Sequence, residues 1–400
     1  MGSTAGPAKK VKVEKELIIT FERSIQVAEG RSHLSSTRFG QGFGGPIQER
    51  AMKTSVDSNN GLIARGGHSN LLVRRPMQIF IFFVGFVLAL MFLCNYTSPF
   101  GIPILSEYFI TASTTEKNET VLESVLRKAS MKDKTVIITN LNDAWAEPGS
   151  IFDVFLESFR IGNETQHFLN HLVVINWDQK AHARCQAIHP HCYQIESKSE
   201  NFTASEAYFM SKDYLHIVWR KIDFLSTVLE LGYSFVFTDT DIMWLRNPFK
   251  QFYGDADFQS SCDDFNGNST DLNNAPNTGF SYVKSNERSI WLYKFWFNSS
   301  RIYRRMHDQN AFNMIKMHPN ISAMNVKIRF LSTTYFGGFC QPSKDFNQVC
   351  TMHANCCKGL QNKIDDLKIL LDDWRNYTAL PENQKQHYSN HSWSVPKHCR

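Results

Sequence analysis

Several features that would place this sequence of 400 residues in a particular protein class are missing. It has no internal repeat, which excludes solenoid and propeller architectures. It has no nucleic-acid-binding module and no platform of basic and aromatic residues, so neither DNA nor RNA is an expected partner. The opening MGSTAGP lacks Ser or Thr at its sixth position, which argues against N-myristoylation.

Long uncharged hydrophobic runs are also scarce, and the one that stands out covers residues 77–94. Its eighteen residues, MQIFIFFVGFVLALMFLC, approach the length that crosses a hydrocarbon core as a helix. They show no polar face, and Arg74 and Arg75 come immediately before them. The run begins too far into the chain for an ordinary cleaved signal peptide. It therefore predicts an uncleaved signal anchor, with residues 1–76 in the cytoplasm as a basic, mostly disordered tail.

Glycosylation sequons and charge support this orientation. Residues 1–76 contain no Asn-x-Ser/Thr sequon and carry twelve Lys or Arg against six Asp or Glu, which accounts for the net charge of +5. The sequons lie at Asn95, Asn118, Asn163, Asn201, Asn268, Asn298, Asn320, Asn376 and Asn390. Everything after the anchor is therefore expected to be lumenal, with residues 95–130 as a stem and lead-in helix and residues 131–400 as one domain.

Cysteine usage agrees with an oxidising compartment. Cys94 lies inside the predicted anchor, and eight further cysteines follow it. An even set in a lumenal domain predicts disulfides, although the pairing does not follow from sequence. The pair of Cys185 and Cys192, which closes a short loop, is the best single candidate.

After the stem, strand-like and helix-like runs alternate, which is typical of an α/β protein with a mainly parallel sheet. Amphipathic spacing predicts helices near residues 121–126, 151–159, 181–188, 211–231, 290–297 and 363–374. Strand-like runs predict strands at residues 135–139, 172–175, 233–237, 258–262, 279–283, 328–331 and 348–352, the last ending at His353. Residues 263–277 are polar and long enough to form a binding loop.

The strand predicted at residues 233–237 organises the rest of the chain, because it leads into Asp239-Thr240-Asp241. Open α/β sheets bind ligands at the C-terminal edge of their strands. Two aspartates one residue apart share a side of an extended backbone, so both can face one divalent cation, which can hold a diphosphate. An isolated Asp-x-Asp is more often an acidic turn, but the flanking sequence here favours a metal site.

Nine sequence blocks occur in an order that resembles one family. They are TVIITNLNDAWAEPGS, HLVVINWD, CQAIHPHC, WRKIDFL, GYSFVFTDTDIMWLRNPF, NTGF, HDQNAFN, HANCCKG and LLDDW, and they extend from Thr135 to Trp374. Together they resemble the plant nucleotide-diphospho-sugar transferases of glycosyltransferase family seventy-seven. The resemblance implies a GT-A fold with a Rossmann-like mixed sheet, type II topology in the Golgi membrane and transfer with retention of anomeric configuration.

The same resemblance implies a divalent cofactor, manganese or alternatively magnesium. It implies a UDP-sugar donor of the arabinofuranose, xylose or galactose type, and a cell-wall polysaccharide or hydroxyproline-rich glycoprotein as acceptor. Homo-oligomers and hetero-oligomers are both compatible with it. None of the residues selects among these donors and acceptors.

The resemblance assigns the metal to three residues. Asp241 is the first-choice ligand, and Asp239 would bind the metal or the ribose of the donor. His353 matches the histidine that completes such metal sites, whereas a His beside an apolar strand is, taken alone, more often a structural hydrogen-bonding group. The metal would act as Lewis acid and template for the diphosphate.

Three lysines are candidates to neutralise the departing UDP. Lys221 lies in the helix before the central strand, where related enzymes keep a basic residue near the donor phosphate or sugar. A solvated lysine on the helix surface is the alternative. Lys358 and Lys363 follow His353, and surface charge is expected to explain at least one of them.

The predicted catalytic pair is Asp308 and Gln309, because related retaining enzymes keep Asp-Gln at this point. Asp308 would stabilise an oxocarbenium-like transition state or hold sugar hydroxyls, with a helix cap as the plain alternative. Covalent and front-face retention both stay open. Asn277 and Thr278 would hydrogen-bond the donor sugar, unless they only form a turn.

The nucleotide is assigned to the end of the first strand, where GT-A folds receive uridine and ribose. The residues concerned are Thr139, Asn140 and Asp143. Trp177 departs from the family pattern, since a smaller or apolar residue is expected before Asp178. Its bulk would alter the nucleotide or sugar pocket.

Two other functions compete with a transferase. A phosphatase of the haloacid dehalogenase type also has Asp-x-Asp after an apolar strand, but usually with Thr or Val where this chain has Met243. Its second acidic motif would need IDDL or LDDW to end a strand. The other alternative is a catalytically inactive, membrane-anchored sugar-binding or partner protein of the same fold. Such a binder has no need of two carboxylates, His353 and Asp308 together.

Overall fold

A computed structural model of the chain describes residues 119–195, 210–385 and 392–399. The predicted tail, the predicted anchor and the stem as far as residue 118 lie outside the described residues, as do the sequons at Asn118, Asn201 and Asn390. Among the helices of the described ranges, none combines the length and the apolar character that crossing a bilayer requires.

The described chain alternates strands and helices as expected. The strands are β1 Thr135–Leu141, β2 Leu172–Asn176, β3 Cys192–Gln194, β4 Ser234–Thr238, β5 Ile242–Trp244, β6 Phe258–Asp264, β7 Ala275–Val283, β8 Ile328–Phe330, β9 Phe336–Gly338 and β10 Thr351–His353. The α-helices are α1 Val121–Ala129, α2 Asp143–Ala146, α3 Ile151–Ile161, α4 Gln179–Ile188, α5 Lys212–Glu230, α6 Glu287–Ser299, α7 Asp308–Ile315, α8 Pro319–Ala323, α9 Leu360–Thr378 and α10 Glu382–Lys385. Short 3-10 helices cover Gln166–His171 and Pro248–Gln251.

The large sheet has seven strands in the order β3-β2-β1-β4-β7-β6-β8. Strands β3, β2, β1 and β4 are parallel, β7 is antiparallel to both β4 and β6, and β8 is parallel to β6. The sheet is therefore parallel-rich but mixed, and this α/β architecture is consistent with a GT-A fold. Its parallel half places the C-terminal ends of β1, β2 and β4 along one edge.

The core explains why the apolar runs form these elements. All residues of β2 are buried, as expected of a parallel strand covered on both faces. Helix α3 contributes Phe159, whose ring stacks on Trp244 of β5 with centroids 4.6 Å apart. The Trp244 indole Nε1 donates to Thr238 Oγ1 at 3.2 Å. This core therefore fixes the turn that joins β4 to β5.

A second, three-stranded sheet was only partly anticipated. Strand β10 pairs antiparallel with β5, so that His353 lies opposite Ile242, and parallel with β9. The strand expected at residues 348–352 begins later than predicted, at Thr351, and its predicted end at His353 is confirmed. Strands β5 and β9 have three residues each, too few to give a periodic pattern. Their formation depends on pairing with β10.

The bounds of the strands and helices also bear on the predicted binding loop and on the phosphatase alternative. The predicted binding loop at residues 263–277 is wrong at both ends, because β6 extends to Asp264 and β7 begins at Ala275, leaving a loop at residues 265–274. IDDL and LDDW both lie inside α9. The phosphatase alternative therefore lacks its acidic motif at a strand end.

Six of the eight cysteines that follow the predicted anchor are paired. The predicted bond between Cys185 and Cys192 is confirmed. The other pairs are Cys340–Cys356 and Cys357–Cys399. Cys262 and Cys350 are buried thiols, so the even set is not fully oxidised.

Residues 392–399 form a segment packed against α9. The buried carboxylate of Asp366, on α9, accepts backbone hydrogen bonds from residues 397–399, the shortest at 2.8 Å from Cys399 N. Cys399 is also bonded to Cys357, shortly before α9 begins. The segment thus braces the start of the helix that carries Lys363.

Candidate functional site

The two aspartates of the Asp-x-Asp motif lie in the turn between β4 and β5. Asp239 N donates to Gly279 O at 2.8 Å, and Ala354 N donates to Asp241 O at 3.0 Å. Ile242 N donates to Asp239 O at 3.2 Å, so the motif is a turn, not the extended segment expected from sequence. Its two carboxylates nevertheless lie close together at the C-terminal edge of β4.

His353 completes a cluster with these aspartates. One ligand atom from each of Asp239, Asp241 and His353 lies within 4.8 Å of the others. The side chain of Asp241 is 2% exposed, and its Oδ1 lies 3.2 Å from His353 Nε2. Apart from this ion-pair contact, Asp241 Oδ1 has no hydrogen-bond partner among the described residues, and His353 Nδ1 has none there either. Two carboxylates and an imidazole, with Asp239 half-buried, Asp241 and His353 buried and unsatisfied atoms on the latter two, fit a divalent cation.

A glycine keeps the space beside this cluster open. A Cβ added to Gly279 would lie 2.5 Å from Asp239 Oδ2 and 3.0 Å from His353 Cε1. Its backbone conformation is not in the left-handed region, so the requirement for glycine is one of space. The absence of a side chain is what allows β7 to pass this close to the two ligands.

Substituting Gly279→Ala is therefore expected to displace Asp239 or His353 and to weaken Mn²⁺ binding by roughly 10-fold to 100-fold, the range typical for groups that orient metal ligands. Isothermal titration of Mn²⁺ into the full-length chain measures it. Gly254→Ala is the matched control, because a Cβ at Gly254 meets no atom within 4 Å. Equal Mn²⁺ affinity in the two variants would contradict the assignment of these ligands.

The protein surroundings set the protonation of the cluster. Removal from water, reinforced by the neighbouring Asp241 carboxylate, raises the pKa of Asp239 to about 6 despite the opposing charge of Lys221. Burial also acts to raise the pKa of Asp241, but Lys363 and His353 outweigh it and hold that pKa below its ordinary value. Burial acts against a charged His353, yet Asp241 raises the net pKa of the imidazole.

The two candidate phosphate lysines after His353 behave differently. Lys363 Nζ contacts Asp241 Oδ2 at 2.6 Å and lies 5.7 Å from the centre of the Trp145 ring. Lys358 is exposed. The expectation that one of the two is a surface residue therefore fits Lys358, and Lys363 is the lysine that the fold brings to the cluster.

Lys221 is buried, so the interpretation of it as a solvated surface lysine is wrong. Its Nζ lies 2.8 Å from Asp308 Oδ2, with side chains only 7% and 4% exposed, and 4.7 Å from the centre of the Phe237 ring. Burial disfavours both charges, but each partner stabilises the other. The net effect raises the pKa of Lys221 and lowers that of Asp308.

Gln309 and Thr278 join Asp308 in one hydrogen-bonded group. Thr278 Oγ1 lies 3.3 Å from Asp308 Oδ2, and Thr278 N donates to Gln309 Oε1 at 3.2 Å. Asp308 is the first residue of α7, after an N-cap at His307, so the carboxylate is not the cap itself. Asn277 Oδ1 accepts from Gly279 N at 2.9 Å.

The residues assigned to the nucleotide lie at the end of β1 and just beyond it. Thr139 is fully buried, and its hydroxyl has no hydrogen-bond partner within the described ranges. Asn140 is half-buried near the end of β1. Asp143 begins α2, where its carboxylate contacts Lys180 Nζ at 2.9 Å. Trp177 directly follows β2, and its backbone N donates to Leu141 O at 3.0 Å, so this bulky residue does reach the same edge of the sheet. Its buried indole Nε1 likewise has no partner in the described part of the chain.

Two polar residues at the site were missed. Asp263, near the end of β6, and Asn355, two residues after His353, bond each other at 2.7 Å. A positional signal for Asp263 was available, because it comes directly after the strand predicted at residues 258–262, although that run, FQSSC, is less apolar than the strand before Asp239. The expected long loop concealed it.

Comparison with known proteins gives related sequences. Residues 167–367 match the model of the family described as nucleotide-diphospho-sugar transferase. An uncharacterised Arabidopsis thaliana protein is 43% identical over 291 residues, which are 72% of this chain and 76% of that protein. The UDP-D-xylose:L-fucose alpha-1,3-D-xylosyltransferase 3 of A. thaliana is 29% identical over 147 residues, 32% of this chain and 37% of that enzyme. The apo crystal structure of mouse xyloside xylosyltransferase 1 aligns with a TM-score of 0.32 and 16% identity, over 56% of this chain and 97% of that one.

Proposed function

Because this chain belongs to the nucleotide-diphospho-sugar transferase family, we propose that it is a metal-dependent retaining glycosyltransferase that uses a UDP-sugar donor. The donor is of the xylose, arabinofuranose or galactose type, and the acceptor is a cell-wall polysaccharide or a hydroxyproline-rich glycoprotein. The enzyme acts in the Golgi lumen, anchored by residues 77–94 in type II orientation. A plant xylosyltransferase among its relatives supports the choice of donor class.

One observation carries the proposal. Asp239, Asp241 and His353 come from two distant parts of the chain, and the pairing of β5 with β10 brings their ligand atoms together. A cation held there would neutralise the donor diphosphate and act as its Lewis acid. A sugar-binding partner protein would not require this buried set of ligands.

Lys363 and Asp308 are assigned separate roles on the two sides of the bond that is broken. Lys363, already at the cluster, supplies a positive charge for the phosphate side. Asp308 lies on the sugar side, held by Lys221 and Thr278. From there it can accept hydrogen bonds from sugar hydroxyls or stabilise positive charge as the glycosyl bond breaks.

A donor screen tests this function. The full-length chain, purified in detergent with Mn²⁺, is offered UDP-xylose, UDP-arabinofuranose, UDP-galactose and UDP-glucose, and free UDP is measured. We expect UDP release with one donor of the first three above all others, abolished by EDTA and restored by Mn²⁺. No release with any donor, with and without candidate acceptors, would leave the inactive partner protein as the better interpretation.

A further inference from the structure

The carboxylate of Asp263 is the meeting point of three amide side chains. Asn277 Nδ2 and Asn355 Nδ2 each donate to its Oδ1 at 2.7 Å. Gln309 Nε2 donates to its Oδ2 at 2.9 Å. The three amides come from β7, from the segment after β10 and from α7, so Asp263 connects three separate parts of the chain.

Each of these amides is also bonded at its other end to a backbone N–H group. Asn277 Oδ1 accepts from Gly279 N at 2.9 Å, Gln309 Oε1 from Thr278 N at 3.2 Å, and Asn355 Oδ1 from Cys340 N at 3.1 Å. A backbone N–H can only donate, so every amide oxygen must point to the backbone. Every amide NH₂ must then point to Asp263. The side chain of Asp263 meets this requirement because both of its oxygens accept, Oδ1 from two amides and Oδ2 from the third.

The groups fixed in this way border both halves of the proposed site. Thr278 contacts Asp308, and Gly279 passes beside Asp239 and His353. Gln309 is the neighbour of Asp308 in α7. Asp263 bonds the three amides. By orienting these amides, it influences the positions of Asp308 and of the residues proposed to bind the metal.

We propose that Asp263 is a positioning residue of the transferase. Its carboxylate fixes the orientation of the Gln309 amide, with the NH₂ group toward Asp263 and the oxygen toward Thr278, and thereby the position of Thr278 and Asp308 beside the donor sugar. This inference rests on the proposed function. It also assigns Gln309 a structural part in the site: both ends of its amide are engaged, so it links Asp263 to Thr278 and does not itself attack the sugar.

The direction of the hydrogen bond between Gln309 and Asp263 can be reversed by exchanging the carboxylate and the amide between the two positions. In Asp263→Asn, an NH₂ replaces the oxygen that faces Gln309 Nε2, so that two donors meet. In Gln309→Glu, two carboxylates meet. In the double variant, the new amide at position 263 can donate to the new carboxylate at position 309, whose other oxygen still accepts from Thr278 N. The amides of Asn277 and Asn355 keep their oxygen acceptor, so the double variant restores every hydrogen bond.

We compare the wild type, the two single variants and the double variant. Their melting temperatures are measured first. The kcat per folded molecule is then measured well below the lowest melting temperature, with the donor identified by the UDP-sugar screen. We expect each single variant to lose roughly 10-fold to 100-fold in kcat, as for one half-buried donor or acceptor left unsatisfied. The double variant should recover to within about threefold of the wild type, on the same scale. Asp264→Asn is the control, because Asp264 is the exposed neighbour of Asp263 and should keep wild-type kcat.

The remaining outcomes oppose the proposal. Single variants that melt early but keep wild-type kcat would reduce Asp263 to a stabilising residue. A double variant that recovers its melting temperature but stays inactive would make the Gln309 amide a direct participant. A wild-type chain without turnover removes the proposed function and the positioning role together. In that case, a double variant that melts at the wild-type temperature while both single variants melt lower would still show that residues 263 and 309 are hydrogen-bonded as described.

Discussion

Asp241→Asn is expected to lower kcat with the preferred UDP-sugar by at least about 100-fold, since even groups that merely orient a metal ligand are worth roughly 10-fold to 100-fold. The substitution removes the charge from a side chain that is 2% exposed and adjoins both His353 and Lys363. It would weaken cation binding and leave the Lys363 ammonium without its counter-charge. UDP release measured across a series of Mn²⁺ concentrations gives both kcat and the apparent metal affinity.

Glu287→Gln controls for the loss of one negative charge, because Glu287 is exposed in the first turn of α6. This control should retain wild-type turnover and Mn²⁺ dependence. If Asp241→Asn turns over like the control at every Mn²⁺ concentration, Asp241 is not a metal ligand. Partial recovery of the Asp241 variant at high Mn²⁺ would instead support weakened binding at an otherwise intact site.

Lys221→Met is expected to destabilise the fold by about 3–5 kcal/mol, because it removes the ammonium group from the buried Asp308 carboxylate. The basic group that remains beside Asp308 is His307, whose Nδ1 lies 3.6 Å from Oδ1. Adding Asp308→Asn should recover most of that stability, since removing both charges is far less costly than removing one. Activity should be absent from the single and the double variant alike if Asp308 lies beside the sugar. Chemical denaturation and UDP release, measured on the same samples, separate the two effects.

The pair of Lys250 and Glu164 provides the matched control. Its N···O distance of 2.7 Å is almost that of the buried pair, but its side chains are 66% and 54% exposed. Lys250→Met should therefore leave stability nearly unchanged. A similar loss in the Lys250 and Lys221 variants would show that burial does not determine the energetics of the Lys221 pair.

The cost of Lys221→Met should also depend on pH. The pKa of Asp308 is lowered in the folded wild type, so its contribution to stability is present above the unfolded value near 4 and is lost as pH falls. Without Lys221, burial of the carboxylate is opposed mainly by His307, so the pKa of Asp308 moves upward from its wild-type value and this contribution to stability is reduced. The difference between variant and wild type should thus be larger at pH 7 than at pH 4. The double variant should lack this dependence.

The sequence predicted the parts of the fold that have their own local signal. Strands β1, β2 and β4 are apolar runs, and α5 has an apolar stripe, so each was located to within about three residues. Strands β5 and β9 form because β10 pairs with both of them. A strand of three residues is too short for a local sequence pattern to predict it. The site divides in the same way. A motif identified Asp239 and Asp241, whereas the burial of Lys221 and the bonds of Asp263 depend on tertiary packing.

The bracing of α9 by residues 397–399 has a consequence for the order of events during biosynthesis. Asp241 and His353 are translated well before Cys399, but the start of the helix that carries Lys363 is secured only when Asp366 receives its backbone donors and Cys399 reaches Cys357. In the nascent chain, the start of α9 is therefore expected to be secured only after residues 397–399 have emerged and Cys399 has been oxidised. Completion of the site is thereby expected to require conditions under which thiols are converted to disulfides.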